Sequence, residues 1–513
     1  MTRLTAHFPN ELWIAIFSHV DRLSLRAPHL ASRLFHDLVH PLLFHTVDFH
    51  PFRASTKGTT MVYNAFAGQH EVVNNVRRFE AMCADPGVAP HVRRCAFSSF
   101  HRSTVDPAPV HRAFFTAFMQ LVRIRHLELF HVRIDAHALR ALGAFELLGS
   151  VRVTGCELRL SDGEAEGLAG SVRVESMACA IGGTPEYVRG AGGHRWVQVL
   201  DRTILEALVI PFFDPTVFFE QCVSDPVAWL MPRLHTLRVS LRLDWGLLHA
   251  FAAFIPHLRT LELHEWPAAP PEPGSELVLL RGIDSYEGPH CCLPHFPATA
   301  SPTRLCIVAS DSDAVLRSLQ ETSAQLVGTR TLLLSAHIMQ PDVLQQCLVF
   351  FPSLLELHLK VHDISWLAMI HPIVNVHTCE TFLTELAHPQ SEFCRHRSLE
   401  KFCFVWNTVG RYALTSDRDG DDSDADDEGE DDVLFHPIRL DMARASRVAF
   451  ADRLPRLRAL WIRNPVSDYL WTTDCVGDRY RDAALQVNET AKPLTSSWMQ
   501  DSGHPYAERF LLA

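Results

Sequence analysis

The feature that most constrains the fold is a short pattern, Pro-x-Leu-x-x-Leu-x-(Leu/Val/Ile), which occurs four times. The copies begin at Pro232, Pro256, Pro352 and Pro455. The first two begin 24 residues apart, and the second and third begin 96 residues apart, which is four times 24. A recurring period is typical of stacked structural repeats, so the spacing predicts weaker repeats between the clear ones. Weaker copies do occur, beginning at Ile124, Leu148, Leu205 and Leu399.

The end of each copy alternates apolar and other residues, as in a strand with one buried face. In the second copy, Leu261 and Leu263 are expected to point inward and Glu262 and His264 outward. Helical stretches, such as residues 245–254 and 342–350, precede several of the strands. The sequence therefore predicts an α/β fold, an irregular leucine-rich-repeat array over residues 91–464. Ordinary buried strands of another α/β domain are the alternative, but such a sheet has no reason to repeat Pro-x-Leu.

The negative charge of the chain is concentrated in one segment. The formal net charge is -12 over 513 residues, and Asp417 to Asp432 contain eleven acidic residues against a single Arg. A segment of this composition cannot pack, so residues 415–433 are expected to be a disordered insertion. Ser423, with Asp426 three residues later, suits an acid-directed kinase. The remaining chain is nearly neutral and has no basic surplus, which argues against nucleic-acid binding.

Common catalytic and membrane signatures are absent from the sequence. It contains no apolar run of 18 residues, no signal-peptide core and no common phosphate-binding, metalloprotease or hydrolase motif. We therefore expect a protein of the cytoplasm or nucleus that is not an enzyme, has no cofactor and binds no metal. The closely spaced His and Cys residues of 290–295 fit zinc poorly. His36 and His40 are interpreted as a solvated helix face.

The first 20 residues predict a helix that begins near Pro9 and runs to about Val20. Leu12 and Ile16 form one apolar stripe with Val20, and Trp13 and Phe17 form a second stripe beside it. This apolar face is wider than one packing contact needs, so either the following domain or a second protein should cover it. The alternative is a simple helical cap on the repeat array. Two or three short helices fit in this segment, with an interruption at Pro28 and an end at Pro41, before a strand-like Val47 to Phe49.

Residues 6–50 resemble an F-box of the kind seen in many fungal proteins. The resemblance lies in Phe8-Pro9-x-Glu11-Leu12, Ile16-Phe17, Leu30 to Phe35, and Leu42-Leu43-Phe44-x-x-Val47. Phe8 stands where the family usually has Leu, and Phe35 where it often has Trp. The resemblance implies docking on a Skp-type adaptor, and through it on a cullin and a RING subunit. The docking residues would be Phe8, Pro9, Leu12, Ile16 and Phe17.

Together these features predict the substrate receptor of an SCF-type cullin-RING ubiquitin ligase. The alternative is a leucine-rich-repeat scaffold with a degenerate F-box and no ligase role. The F-box would occupy residues 6–50, a transition 51–90, and a cap or tail 465–513. The unknown target protein is expected on the outward strand face, at Glu262, His264, Glu356, His358, Lys360, Trp461 and Arg463. Trp461 would instead be buried if the segment after Asn464 folds back over it.

Overall fold

The computed structural model divides the chain into two compact units, Met1–Leu258 and Arg259–Ala513, which are described separately. The structure describes residues 9–53, 67–99, 106–180, 193–210, 229–239, 254–263, 281–297, 299–309, 312–337, 341–363, 379–408, 440–463, 467–473 and 479–482.

The first unit begins with three short helices, α1 (Asn10–Ser18), α2 (Arg26–Ala31) and α3 (Arg33–Leu43). The Ser32 side chain accepts a hydrogen bond from the Phe35 amide and so caps the start of α3. Pro41 was expected to end this helix, but α3 continues to Leu43. Pro41 lacks an amide hydrogen, and in the last turn the helix tolerates the loss of that hydrogen bond.

The sheet of the first unit consists of parallel strands that are hydrogen-bonded in chain order. They are β1 (Thr46–Phe49), β2 (Arg94–Ser98), β3 (His126–Phe130), β5 (Ser150–Thr154), β7 (Ser176–Ala180), β8 (Ala207–Ile210) and β9 (Thr236–Val239). A second, two-stranded sheet contains β4 (Arg133–Ile134) and β6 (Glu157–Leu158). Between the strands lie α4 (Gln69–Ala84), a 3-10 helix (Ala89–His91), α5 (Ala108–Phe118), α6 (Ala136–Gly143), α7 (Asp162–Gly167) and α8 (Gly193–Val199).

In the second unit the strands are likewise hydrogen-bonded in chain order. They are parallel except for the last two, which pair antiparallel. Its strands are β10 (Thr260–Leu263), β11 (Ser285–Pro289), β12 (Arg304–Ala309), β13 (Thr331–His337), β14 (Glu356–Asp363), β15 (Lys401–Thr408), β16 (Ala459–Arg463), β17 (Ser467–Thr472) and β18 (Arg479–Asp482). Its helices are a 3-10 helix (His290–His295), α9 (Ser312–Glu321), α10 (Ser323–Leu326), α11 (Pro341–Leu348), α12 (Cys379–Leu386), α13 (Glu392–Arg395) and α14 (Leu440–Ala451).

One backbone arrangement recurs where the strands begin. The carbonyl of the residue before β1, His45, accepts hydrogen bonds from the amides of Arg93 and Arg94 at 2.9 and 3.0 Å. The Arg93 carbonyl accepts in the same way from the next repeat, and in the second unit the Arg330 carbonyl accepts from Leu355 and Glu356. Each carbonyl thus fixes the start of the next strand. The register decides which side chains face inward, because a slip of one residue exchanges the two faces.

The predicted repeats are confirmed at the level of the strands. Leu261 and Leu263 are buried, at 0% and 6% exposed, and the weaker copies at Ile124, Leu148, Leu205 and Leu399 lead into β3, β5, β8 and β15. Three strands, β11 to β13, lie between β10 and β14. The spacing of 96 residues therefore does correspond to four repeat steps. Residues 342–350, expected to be helical, largely coincide with α11.

The array begins before the expected boundary at residue 91. Strand β1 already pairs with β2, and Phe79 of α4 stacks on Phe49 and Phe114 at centroid distances of 4.3 and 5.2 Å. The described part of the predicted transition, residues 51–53 and 67–90, therefore contributes to the core of the first repeats. Residues 245–253 of the predicted helix at 245–254 lie outside the described residues, as does the acidic insertion at 415–433 with Ser423.

The expectation that Trp461 is exposed is wrong, because its side chain is fully buried at 0% exposure. After Arg463 the chain returns as β17, which pairs antiparallel with β16 and sets Leu470 opposite Trp461. Cys403 lies opposite Trp461 on the other side. Leu470 and Cys403 are themselves buried, so Trp461 is held in an apolar row of side chains.

We predict that Trp461→Ala destabilises the protein by about 3 to 5 kcal/mol, as expected when a large buried aromatic side chain is removed. The measurement is the denaturant midpoint of the full chain. The matched control is Trp471→Ala, because Trp471 lies on β17 but is only half-buried. A Trp461→Ala loss no larger than the control loss would contradict the buried position.

Candidate functional site

Helix α1 is anchored by one of its two apolar stripes. The Trp13 ring lies 4.9 Å from the Phe35 ring of α3, and the Phe17 ring lies 5.4 Å from it, measured between centroids. Phe17 also belongs to a small core with Leu25, Val39 and Leu43. These contacts fix which side of α1 faces α3. Leu12 and Ile16 of the other stripe are held away from this core, whereas Val20 of that stripe packs against it.

The other stripe of α1 is exposed. Leu12 and Ile16 of this stripe are 48% and 46% exposed. Outside the stripe, Ile14, Leu23 and Leu30 are 42%, 70% and 83% exposed. Among the described residues, fourteen large apolar side chains are exposed, and these five fall within residues 10–31. Pro9, at the start of α1, is exposed as well, whereas Phe8 lies outside the described residues. Contiguous patches of exposed apolar side chains are a common sign of an interaction site, so this segment is a candidate docking surface.

A cationic cleft lies where the first strands begin. Its volume is about 370 Å³, and its walls are Pro41, Leu42, His45, His91, Arg93, Arg125 and His126. His45, Arg93 and Arg125 each stand directly before a strand or at the strand start, so the repeat stacking places them side by side. The Arg93 guanidinium donates to the Pro90 carbonyl at 2.7 Å. The cleft therefore contains one positive charge that a hydrogen bond holds in place, at Arg93, and one that faces solvent, at Arg125.

The electrostatics of the cleft disfavour additional positive charge. Burial, followed by repulsion from Arg93 and His126, lowers the pKa of His45 below its ordinary value. Burial and the neighbouring Arg123 and Arg125 lower the pKa of Arg93. An anionic group in the cleft would relieve this repulsion. Sequence reasoning missed the cleft because its residues are far apart along the chain and only the register brings them together.

The predicted target-binding residues of the second unit are mostly shielded. His358 is buried at 5% exposure, and Glu262, Glu356, Lys360 and Arg463 are half-buried. His264 lies outside the described residues. Glu356, His358 and Lys360 do lie on the same strand face, as predicted, because they alternate along β14. A docking face must be accessible to its partner, however, and these side chains are shielded.

The shielded residues of β14 interact with one another and with their neighbours. His358 Nε2 lies 2.6 Å from Glu356 Oε1. Burial alone would raise the pKa of Glu356, but the hydrogen bond and charge of His358, with Lys401 and Arg304, hold it below its ordinary value. Burial, with repulsion from Arg463, lowers the pKa of Lys360 to about 8. The pair of Glu356 and His358 is therefore explained by its own hydrogen bond, whereas Lys360 is buried at a cost to its charged form.

No protein-family model matches the chain, and no curated protein matches it. Solved structures do match. A Bacteroides fragilis protein is 10% identical, with a TM-score of 0.31, 58% of this chain covered and 72% of that one. TLR13 in its complex with ssRNA13 is 13% identical, with a TM-score of 0.30 and coverages of 63% and 44%. An internalin (InlF) from Listeria monocytogenes is 9% identical, with a TM-score of 0.25 and coverages of 55% and 70%.

At these TM-scores the matches carry no argument about the protein, and the repeat architecture rests on its own strand register. Within the part of the chain that the structure describes, no helix is both long and apolar enough to cross a membrane.

We predict that Lys360→Met raises the melting temperature, and that this gain shrinks as the pH rises from 8 towards 10.5. The pKa of Lys360 is about 8 in the folded chain, against its ordinary value of 10.5 in the unfolded chain. Between these two pH values Lys360 is therefore mostly protonated in the unfolded chain and mostly deprotonated in the folded chain. The stability of the unchanged chain therefore rises with pH in this range. The full destabilisation by the buried charge is present only below about pH 8.

The measurement is the difference in melting temperature between the variant and the unchanged chain at about pH 7 and about pH 10. Lys401→Met is the matched control, because Lys401 lies opposite Glu356 in the register and interacts favourably with it. This control should not gain stability. A Lys360→Met gain that is independent of pH would contradict the shifted pKa.

Proposed function

We propose that the chain is the substrate receptor of an SCF-type cullin-RING ubiquitin ligase. Its N-terminal helices dock on a Skp-type adaptor, and its repeat array holds a target protein. The chain itself performs no chemistry in this proposal, because ubiquitin transfer belongs to other subunits. The observation that carries the proposal is the exposed stripe of α1, with Leu12 and Ile16, on the segment that resembles an F-box.

The division of α1 into two stripes supports docking. Phe17 is buried while Leu12 and Ile16 remain exposed, so a partner can bind the outer stripe without displacing the inner one. The helices are also joined firmly to the array. Only Phe44 and His45 separate α3 from β1. The Arg22 guanidinium lies 3.7 Å from the carboxylate of Asp48 on β1. An adaptor bound to α1 would therefore be held in a defined position relative to the first repeats.

The first unit is the better place for the target. Its outward strand positions include the exposed residues Asp48, Arg94, His126 and Arg152, whereas the corresponding face of the second unit is shielded at His358 and Trp461. The cationic cleft lies beside these strands and suits an acidic segment of a target. Trp461 is fully buried and does not contribute to this binding face.

The alternative function is a repeat scaffold without a ligase role, in which the exposed stripe of α1 binds some other partner. Affinity purification of the full chain from a cell extract, followed by mass spectrometry, separates the two. Peptides of a Skp-type adaptor and a cullin support the ligase role. Reproducible partners that include neither protein support the scaffold.

We predict that Leu12→Asp together with Ile16→Asp weakens binding of a purified Skp-type adaptor by at least about 100-fold. Burying each unpaired carboxylate costs several kcal/mol, and about 1.4 kcal/mol corresponds to a factor of ten in affinity. The melting temperature should change little, because both side chains are about half exposed. The measurement is direct titration of the full chain with the adaptor.

The control variant is Leu147→Asp. Leu147 is 52% exposed and follows α6 in the array, so its replacement introduces one comparable charge away from α1. Adaptor binding should be unchanged in this variant. If the double variant bound the adaptor as tightly as the unchanged chain, the docking surface would not be the exposed stripe of α1.

A further inference from the structure

Three histidines from two helices meet at the surface of the N-terminal helices. His36 and His40 lie one turn apart on α3, and His29 lies on α2. One ring nitrogen of each residue lies within 4.8 Å of the others. Spacing of i and i+4 places His36 and His40 on one helix face, but the sequence gives no sign that His29 joins them. Packing of α2 on α3 brings the third ring to the pair.

The distances suit a metal ion. His29 Nε2 lies 3.3 Å from His40 Nδ1, and two nitrogens bound tetrahedrally to zinc at about 2.0 to 2.1 Å are themselves about 3.3 Å apart. A hydrogen bond accounts for the His29 and His40 pair by itself. It does not account for His36, whose ring centroid lies 4.2 Å from that of His29.

The outer nitrogens of two of the rings already have partners. His40 Nε2 donates to the Gly87 carbonyl at 2.9 Å, which leaves His40 Nδ1 as the unprotonated nitrogen that faces His29. His36 Nδ1 lies 3.3 Å from the Asp37 carboxylate, which leaves His36 Nε2 to bind. Metal-binding histidines usually have such a carbonyl or carboxylate partner, since it fixes the tautomer and the ring orientation.

We propose that His29, His36 and His40 form a binding site for a divalent transition-metal ion that prefers imidazole, with Zn²⁺ as the principal candidate. The sequence predicted no metal site and interpreted His36 and His40 as a solvated helix face, and this proposal replaces both expectations. Imidazole ligands suit zinc, copper and nickel, whereas calcium and magnesium prefer oxygen. Three protein ligands leave the fourth zinc position to water or to a group of a partner.

A bound ion joins α2 to α3 and thereby orders the short α2 segment. Helix α2 has only six residues and contains Pro28, so it has little helical stability of its own. Leu30, the most exposed large apolar side chain among the described residues, follows His29 directly. The site does not depend on the proposed ligase role, because a scaffold protein with these helices would bind the ion equally.

The test is calorimetric titration of the reduced, metal-free full chain with ZnCl₂, comparing the unchanged chain with His36→Gln. His36 is exposed, so the variant should fold normally, which circular dichroism checks. The unchanged chain is expected to show a binding event that His36→Gln loses or weakens by at least about tenfold, the smallest effect typical of losing even an outer partner. Zn²⁺ should raise the melting temperature of the unchanged chain more than that of the variant.

Two further variants make the result specific. His19→Gln is the matched control, because His19 is an exposed histidine at the end of α1 outside the cluster, and it should bind Zn²⁺ as the unchanged chain does. His36→Cys supplies a thiolate ligand in place of the imidazole and should restore binding. The proposal is overturned if the unchanged chain and His36→Gln give the same titration, or if His19→Gln loses as much affinity as His36→Gln.

Discussion

The structure depends on one backbone interaction that recurs from strand to strand. Between successive parallel strands within each unit, the carbonyl before one strand, such as that of His45, Arg93 or Arg330, accepts two amides from the start of the next repeat. This pairing fixes the register, and the register alone decides that Leu261 and Leu263 face the core while Glu262 faces outward. It also sets successive residues before the strands side by side, which creates the cationic cleft from residues that are distant in sequence.

The N-terminal helices are an extension of this arrangement. Helix α3 leads into β1 after two residues, and β1 is the first strand of the parallel sheet. The inner stripe of α1, with Trp13 and Phe17, is used to hold the helices together. The outer stripe, with Leu12 and Ile16, is left exposed. A unit of so few residues has too small a core to cover both stripes, and this limit on burial makes a docking partner a physical expectation.

The sequence predicted the strands whose pattern holds large apolar residues at all three positions, but it missed others for identifiable reasons. Strands β12 and β13 were missed because Pro302 and Thr329 stand at the first of these positions. In β11 the core positions are Tyr286 and Gly288. A Cβ added at Gly288 would approach the Tyr286 hydroxyl to 2.6 Å, so the pair departs from the pattern because the ring fills the space of the second side chain. The burial of Trp461 depends on the return of the chain as β17, and the histidine cluster depends on the packing of α2 on α3. Neither is a local property of the sequence.

Hydrogen–deuterium exchange of the full chain, with and without a saturating Skp-type adaptor, tests the central claim most directly. It reports on every peptide at once and requires no substitution. Docking through the exposed stripe of α1 predicts slower exchange within residues 10–31, and unchanged exchange in β13, β14 and β15. Unchanged exchange within residues 10–31, or protection confined to the strands, would contradict it.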